Sequence, residues 1–285
     1  MPPVAVLTDS TASIPEKMLA DLNIQTVAYY IHRGQEVLHD LVTIQRQEFL
    51  NWLATARQLP TTASPGPGDY LAAYRQLIAK GFREIISIHM TAKASGAYQA
   101  ATVAQSMLKE EDPRVTVEVV DTQNVSLCQG WLSIEAARLA LQGIRLDEIV
   151  WRIRELIPRT HMLQTADTLK YLYMGGRIGM AKRLVGSLLN IKPLIGMEDG
   201  VIVPLGQARS HNQIHQMMAE RVEQAVGKGR VKIAYVHAGA LQEVEKIRQL
   251  LESHLDVVES FIAELSPALA VHTGPGTAGL CFLEV

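Results

Sequence analysis

Short segments rich in hydroxyl side chains, glycine and histidine follow apolar runs at four places in the sequence. These segments are Thr8-Asp9-Ser10-Thr11, Pro60-Thr61-Thr62-Ala63-Ser64-Pro65, Thr91-Ala92-Lys93-Ala94-Ser95-Gly96 and His272-Thr273-Gly274-Pro275-Gly276. Hydroxyl groups and the free N–H groups at a helix start can hydrogen-bond an anion. The residue types therefore indicate recognition of a small anionic group, whereas the alternative is that these segments are ordinary helix caps and turns.

A further segment places Gly175 and Gly176 directly before Arg177. This order could present N–H groups and a guanidinium to an anion. The alternative is a corner between two helices, with Arg177 binding carbonyl groups at the helix end. The spacing matches neither a P-loop nor the glycine pattern of dinucleotide sites, so nucleotide binding is not predicted.

His211 and His215 are four residues apart, a spacing that places both on one helix face and that metal sites use. The glutamate of the HExxH motif is missing between them, and no third ligand is evident in the sequence. We therefore expect a solvated helix face and no metal site. His272 differs because glycine and proline surround it, which predicts a tight loop.

Nucleophilic catalysis is permitted by the sequence but is not indicated. Ser10 and Ser95 are the candidate nucleophiles, and Asp9 or Asp121 could orient a histidine. Neither serine lies in a GxSxG motif, and no base can be paired with either one from the sequence.

Strand patterns alternating with helical patterns must position these residues. Strands are predicted at 4–8, 26–31, 84–88 and 115–120, with helical stripes over 71–78, 97–108 and 146–157. After Pro158 further strands are predicted at 161–165, 191–196, 201–205, 231–236 and 256–263, with a hairpin turn at Asp199-Gly200. The fold class is therefore α/β with two α/β domains, residues 1–158 with a mainly parallel sheet and residues 159–285 with a mixed sheet.

Composition narrows the class of protein. The chain of 285 residues has a net charge of -2 and is 48% hydrophobic but only 5% aromatic, which excludes disorder and argues against nucleic-acid or polybasic membrane contacts. The stretch from Leu265 to Leu283 has no charged residue, but its prolines and glycines predict a loop, not a membrane span. Cys128 and Cys281 match no disulfide framework, so a reducing cytoplasm is expected.

Seven landmarks in order along nearly the whole chain make it similar to the DegV family of fatty-acid-binding proteins. They are Asp9-Ser10-Thr11, Pro60-Thr61-Thr62, Ser95-Gly96-Ala97-Tyr98-Gln99, Val120-Asp121-Thr122, Leu169-Lys170-Tyr171-Leu172 with Gly175-Gly176-Arg177-Ile178, Lys192-Pro193, and His272-Thr273-Gly274-Pro275-Gly276. Two departures from the family pattern, Ala97 in place of a threonine and Lys93 as an added cation, lie at the third polar segment. A further departure is Ala63-Ser64 after Thr62, where the family usually has serine and glutamine.

The resemblance implies a long-chain fatty acid held between two α/β domains, with its carboxylate at the interface and its tail in an apolar tunnel. By matching positions, Thr62, Ser95 and His272 would contact the carboxylate. Arg209, and also Arg177, would lie near the tunnel entrance or a partner. The implied role is a carrier without catalysis or cofactor, which presents the acid to a separate fatty acid kinase.

Two other classes of function stay open at this point. One is a hydrolase or phosphotransferase subunit that uses His272, by analogy with dihydroxyacetone kinase subunits of shared fold. The other is an interaction protein whose glycine loops only close turns. A narrow polar pocket would favour the enzyme, and a long apolar tunnel would favour the carrier. The absence of any sizeable cavity would favour the interaction protein.

Overall fold

A computed structural model describes residues 3–187 and 191–285. The strands are β1 (Val4–Asp9), β2 (Ile24–Val27), β3 (Tyr30–Arg33), β4 (Glu36–His39), β5 (Thr61–Ala63), β6 (Glu84–His89), β7 (Thr116–Asp121), β8 (Thr160–Thr165), β9 (Lys192–Glu198), β10 (Val201–Ala208), β11 (Arg230–Ala238), β12 (Asp256–Glu264) and β13 (Thr277–Glu284). The α-helices are α1 (Glu16–Asp21), α2 (Arg46–Thr55), α3 (Pro67–Ala79), α4 (Ala97–Glu111), α5 (Leu127–Leu141), α6 (Leu146–Leu156), α7 (Lys170–Met174), α8 (His211–Val226), α9 (Leu241–Glu252) and α10 (Pro267–Thr273). Three 3₁₀ helices cover Ser10–Ala12, Ile157–Arg159 and Gly179–Ser187.

The first sheet has the order β2-β1-β6-β7, and each neighbouring pair in it is parallel. Its strands are short and apolar, and every residue of β1 is buried. The carboxyl ends of parallel strands meet at one edge, so Asp9, His89 and Asp121 lie at the same edge. The predicted mainly parallel first sheet is confirmed.

The second sheet has the order β10-β9-β8-β13-β11-β12. Only β11 and β12 run parallel in it, and the other neighbours are antiparallel. The turn between β9 and β10 has Asp199 at φ 49° and Gly200 at φ 76°, as a two-residue hairpin requires. The predicted mixed sheet and its Asp-Gly turn are confirmed.

A small antiparallel sheet of order β4-β3-β5 was not predicted. The single strand predicted at 26–31 is wrong, because the chain leaves the first sheet at Val27 and begins this small sheet at Tyr30. The backbone N–H of Tyr29 donates to the Ser10 hydroxyl at 3.1 Å at this break. A continuous apolar run does not show where a chain changes sheets.

Helix α5 packs between the two large sheets and contacts β1 and β6 on one side and β8 and β13 on the other. It is buried nearly all round, as expected of a helix with no polar face. Trp131 donates its indole N–H to the carbonyl of Cys281 at 3.1 Å. One apolar core is therefore continuous from the first sheet to the second. The division at residue 158 stays a prediction.

The loop predicted from Leu265 to Leu283 is wrong. Ser266 caps α10, with Pro267 at its first position, and β13 then runs through the interior of the second sheet. The hydroxyl of Ser266 accepts the N–H of Leu269 at 3.4 Å. The stretch lacks charged residues because both elements are buried. Among the described residues, no helix is both long enough and apolar enough to cross a bilayer.

Candidate functional site

Strand β5 and helix α10 bring two of the predicted site residues together. The Thr62 hydroxyl lies 2.7 Å from Nε2 of His272, across 210 residues of sequence. Thr62 is held in register by pairing with Ile31 of β3. His272 lies in the last turn of α10, so its predicted placement in a tight loop is wrong.

The start of α10 is fixed by buried polar contacts. The carboxylate of Asp40 accepts the N–H of Ala268 at 3.2 Å, and the Ser13 hydroxyl accepts the N–H of Ser266 at 3.0 Å. Burial raises the pKa of Asp40 to about 6, against the lowering effect of its contacts with Ser10, Ala268 and Ser266 and of Arg46. These contacts set the direction in which α10 presents His272.

Gly175, the first glycine of the pair that the sequence singled out, packs directly against His272. A Cβ on Gly175 would collide with Nδ1 of the imidazole. In turn Gly274, at φ 78°, lies where a Cβ would collide with the ring of Tyr171 on α7. Gly175 and Gly274 are therefore both required for the close approach of α7 and α10. This approach positions His272.

Ser95 is held by a tyrosine that the sequence did not single out. Its hydroxyl lies 2.6 Å from the hydroxyl of Tyr29 and also accepts the N–H of Ala97 at 3.3 Å, at the start of α4. A Cβ on Gly96 would lie 3.4 Å from the Ser64 hydroxyl, so the second and third polar segments face each other. Tyr29 lies in an apolar stretch with no signal of its own, and its contact with Ser95 spans 66 residues.

These residues border a cavity of about 290 Å³, here called the polar compartment. Its lining residues are Thr11, Tyr29, Thr62, Ala63, Ser64, Met90, Ala94, Ser95, Gly96, Arg177, Ala268, Leu269 and His272. Three hydroxyl-bearing segments and the imidazole thus face one space. The structure brings Thr62, Ser95, His272 and Arg177 together there.

A second cavity of about 170 Å³, here called the apolar compartment, lies next to the polar compartment. Its apolar side chains are Met90, Ala94, Val125, Met162, Leu172, Ile195, Met197, Val201, Ile202 and Leu269. The two compartments share Met90, Ala94, Arg177, Leu269 and His272. Some of the aliphatic side chains therefore line a cavity, and this cavity adjoins the polar compartment.

Arg177 lies at the junction of the two compartments. It donates to the carbonyl of Gly175 at 2.7 Å and to that of Ala94 at 3.4 Å. Arg177 thus binds carbonyls at the helix corner, as the alternative interpretation of this segment has it. Its exposed guanidinium also places a positive charge where polar and apolar linings meet.

Burial controls the charge of the His272 and Tyr29 rings, which contact the Thr62 and Ser95 hydroxyls. It lowers the pKa of His272 to about 4, and the nearby positive charge of Arg177 adds to this lowering. Burial also raises the pKa of Tyr29 well above its usual value, and the Asp9 carboxylate adds to this effect. Both rings are therefore neutral at pH 7.

A buried polar network lies at the floor of the polar compartment. Asp9 contacts Nδ1 of His89 at 3.0 Å, and Nε2 of His89 contacts the Ser87 hydroxyl at 2.7 Å. Asp9 also accepts the N–H of Thr11 at 3.1 Å, and Thr11 lines the compartment. Asp9 therefore orients a histidine, as the sequence permitted.

The order Ser87–His89–Asp9 is that of a hydrolase triad, but burial separates this network from a substrate. Ser87, His89 and Asp9 are fully buried, and Ser87 also accepts a hydrogen bond from Tyr74 at 3.1 Å. For His272, Thr62 is the partner observed among the described residues, and Nδ1 has none there. The imidazole in the cavity thus lacks a carboxylate that would orient it as a base.

Of the departures from the family pattern, Lys93 and Ala97 lie outside the polar compartment lining, whereas Ala63 and Ser64 belong to it. Lys93 donates its amine to the carbonyl of Asp199 at 2.6 Å, in the β9–β10 turn. Ala97 is fully buried in the first turn of α4. The added cation therefore contacts the second sheet, and Ala97 packs in the core.

Three other predicted residues lie elsewhere. Arg209 is exposed just before α8, beside a shallow groove, and lines neither compartment as far as the described residues show. His211 and His215 do share a face of α8, but the expected solvated face is wrong for His215, which is only 4% exposed. Packing of α8 against α9 buries it.

Comparison with known proteins defines the family. The protein-family model described as "Uncharacterised protein, DegV family" matches residues 3–285 of this chain. A DegV domain-containing protein of Halalkalibacterium halodurans is 32% identical over 283 residues, 98% of each chain. Protein DegV of Bacillus subtilis is 29% identical over 281 residues, again 98% of each chain. The chain belongs to the DegV family, which confirms the resemblance.

Solved structures show the same fold. A DegV family protein from Thermus thermophilus, described by its fatty acid binding, superposes with a TM-score of 0.92 at 29% identity, over 99% of this chain and 100% of that one. DegV from Bacillus subtilis, described as a fatty acid binding protein, gives a TM-score of 0.87 at 27% identity over 100% of both chains. The α/β architecture is thus shared along the whole chain.

Proposed function

We propose that this protein binds a long-chain fatty acid, with the carboxylate in the polar compartment and the tail in the apolar compartment. The observation that carries the proposal is the junction of a hydroxyl-lined cavity with an apolar one at Arg177 and His272. An amphipathic ligand with one polar end matches this arrangement. The descriptions of the Thermus thermophilus and Bacillus subtilis structures support the same ligand class.

Thr62 and Ser95 donate hydrogen bonds to the carboxylate in this proposal, and His272 acts by orienting the Thr62 hydroxyl. In the tautomer with hydrogen on Nε2, His272 donates to the Thr62 oxygen, which leaves the Thr62 hydroxyl hydrogen for the ligand. Likewise Tyr29 donates to Ser95 and leaves the Ser95 hydrogen for the ligand. Each hydroxyl then has a fixed donor behind it and donates forward to an anion.

Neutral donors suit a carboxylate that leaves water. A hydrogen bond to a charged group stabilises by about 1.5–3 kcal/mol, whereas burying a second full charge adds its own desolvation penalty. His272 stays neutral at pH 7 because burial lowers its pKa to about 4. Arg177 lines the polar compartment but is exposed, so its positive charge attracts the carboxylate while the guanidinium stays in contact with water.

The tail supplies most of the affinity. At about 0.8 kcal/mol for each buried methylene, a chain of about sixteen carbons offers on the order of 10 kcal/mol before association and ordering are subtracted. Ten apolar side chains from both halves of the chain line the receiving cavity. The affinity should therefore grow with tail length until the cavity is filled.

Titration calorimetry tests this ligand assignment. Delipidated protein is titrated with the saturated C16 fatty acid and, separately, with the C16 alcohol, which has the same tail but no carboxylate. The acid is expected to bind about tenfold or more tightly than the alcohol, because only the acid accepts hydrogen bonds with a full negative charge. Equal affinities would contradict the role of the polar compartment, and no binding of either would contradict the ligand class.

We further propose a carrier role without catalysis of its own. The lack of an orienting carboxylate at His272, within the described part of the chain, favours binding over hydrolysis. A separate ATP-dependent fatty acid kinase would then convert the presented acid to an acyl phosphate. Incubation of the loaded protein with ATP alone should leave the acid unchanged, and conversion should require the added kinase. Conversion without the kinase would contradict this role.

The cellular setting and domain division belong to the same proposal. Cys128 and Cys281 are both free and buried, which fits a reducing cytoplasm. The division into residues 1–158 and 159–285 places the ligand between an N-terminal and a C-terminal unit.

Arg209 is kept as an entrance or partner residue in this proposal. An Arg209→Ala variant should change the rate of lipid transfer more than the affinity for the acid.

A further inference from the structure

Three potential ligand groups meet where α8 packs against α9. His211 is the first residue of α8, His215 lies one turn later, and Glu243 lies in the first turn of α9. The side chain of His215 is 4% exposed, that of Glu243 22% and that of His211 33%. The sequence could not supply Glu243 as a partner because it lies on a different helix, 28 residues after His215.

The distances match those of a tetrahedral metal site. Oε2 of Glu243 lies 3.5 Å from Nδ1 of His211 and 3.4 Å from Nε2 of His215. One ligand atom from each of the three residues lies within 4.8 Å of the others. Zinc bonds of about 2.0–2.1 Å in a tetrahedron place ligand atoms about 3.3 Å apart.

The same three atoms are unsatisfied. Nδ1 of His211, Nε2 of His215 and Oε2 of Glu243 are buried and have no hydrogen-bond partner among the described residues. Buried polar atoms are normally paired, and three of them converging on one point require an explanation. A bound cation would satisfy all three at once.

Asp167 places a negative charge beside the cluster. Its Oδ1 lies 3.7 Å from Nε2 of His211, beyond hydrogen-bond distance, and accepts from Nζ of Lys192 at 2.5 Å. Carboxylates near a ligating histidine favour metal binding, and Asp167 supplies one without being a ligand itself. Glu243 uses its other oxygen, Oε1, to bind Lys246 at 2.7 Å, which leaves Oε2 available.

We propose that His211, His215 and Glu243 form a binding site for a divalent transition-metal ion, with Zn²⁺ as the type ion. Two imidazoles and one carboxylate suit zinc better than calcium or magnesium, which prefer sets of oxygen ligands. Three protein ligands leave a fourth position for water. As far as the described residues show, none of the three lines the polar or apolar compartment, so this site is separate from the proposed lipid site.

Zinc binding by tag-free protein tests the proposal. The protein is treated with a chelator, dialysed and titrated with ZnCl₂ in competition with a chromophoric chelator. Wild type is expected to bind one Zn²⁺ per chain, and Co²⁺ is expected to give the visible spectrum of tetrahedral coordination. His211→Ala and Glu243→Gln should each weaken zinc binding by about 100-fold or more, and Asp167→Asn by about tenfold.

His254→Ala is the matched control, because His254 is exposed and lies outside this cluster. It should bind zinc like wild type, and zinc should raise the Tm of both. His211 begins its helix and is partly exposed, so His211→Ala should fold normally, which far-UV circular dichroism without zinc verifies. The proposal is overturned if wild type binds zinc no more tightly than His211→Ala and Glu243→Gln do.

Discussion

The hydroxyl of Thr62 lies 2.7 Å from Nε2 of His272, although 210 residues separate them in sequence. The contact joins a strand of the small antiparallel sheet to the helix that precedes the last strand of the second sheet. Neither residue could orient a ligand alone, because one lies on a three-residue strand and the other on a seven-residue helix. Formation of the site therefore depends on the complete fold.

Replacing Thr62 with valine should weaken fatty acid binding. Thr62→Val keeps the shape of the side chain but removes the hydroxyl that faces the polar compartment. Loss of one hydrogen bond to a charged group corresponds to about 1.5–3 kcal/mol, or about 10- to 100-fold in Kd. Calorimetric titration with the C16 acid measures this.

Thr61→Val is the control for that substitution. Neighbouring residues on a strand point to opposite faces, and Thr61 is exposed. The Thr61→Val variant should bind the acid with the same affinity as wild type. If Thr61→Val and Thr62→Val weakened binding equally, Thr62 would not be a ligand contact.

A methyl group added at Gly175 should displace His272. The Cβ of Gly175→Ala would collide with Nδ1 of the imidazole, so the ring must move away from Thr62. We expect at least a tenfold loss of affinity for the acid. Gly68→Ala serves as the control, because a Cβ there meets no atom within 4 Å and the residue lies at the start of α3. Unchanged binding by Gly175→Ala would show that the position of His272 is unimportant.

The stability of the protein should depend on pH through His272. Its pKa in the folded protein is about 4, below the ordinary value of 6.5, so only the unfolded chain binds a proton between these values. Stability from this residue is then complete above pH 6.5 and lost as the pH falls towards 4, by on the order of 3 kcal/mol. In urea unfolding at pH 7 and pH 4.5, His272→Gln should lose less stability on acidification than wild type.

Asp40 should change the stability of the protein in the opposite direction from His272 over nearly the same pH range. Burial raises its pKa from 3.8 to about 6, so the folded protein binds a proton first and gains stability as the pH falls through 6. Asp40→Asn removes this gain and should lose more stability on acidification than wild type. If the two variants shifted in the same direction, the assigned protonation states would be wrong.

A bulky residue in the apolar compartment should select shorter tails. Ile202 is half-buried and lines that compartment, so Ile202→Trp should occupy space needed by the tail. Affinity for the C16 acid should fall by about tenfold or more, while affinity for the C10 acid should change little. Val103→Trp, on an exposed position of α4, is the control. An equal loss for both acids would place the tail elsewhere.

Much of the polar compartment could be predicted from the sequence. Thr62, Ser95, His272 and Arg177 lie in polar segments beside strand and helix patterns, and the structure places all four around one cavity. The general rule that strand ends and helix starts gather at one edge in α/β folds singled out the polar segments. It did not decide between a ligand site and ordinary caps and turns, and the assignment of Thr62, Ser95 and His272 to one carboxylate site rested on the resemblance to the DegV family.

The remaining features depend on distant contacts or on buried segments without a polar face. Tyr29 supports Ser95 from 66 residues away and lies within an apolar stretch. Most residues of helix α5 are buried, so its amphipathic period is too weak to detect. The α10 helix did carry a signal, because Ser266 followed by Pro267 is a typical helix start, but nearby glycines masked it.

Mass spectrometry of the ligand carried by the purified protein tests the central claim most directly. Protein is purified without detergent and denatured, and its organic extract is analysed alongside extracts from Thr62→Val and Thr61→Val. We predict about one long-chain fatty acid per chain for wild type and Thr61→Val, and a clearly smaller amount for Thr62→Val. Absence of any fatty acid in the extract, together with no binding when the C16 acid is titrated into the protein, would contradict the proposal.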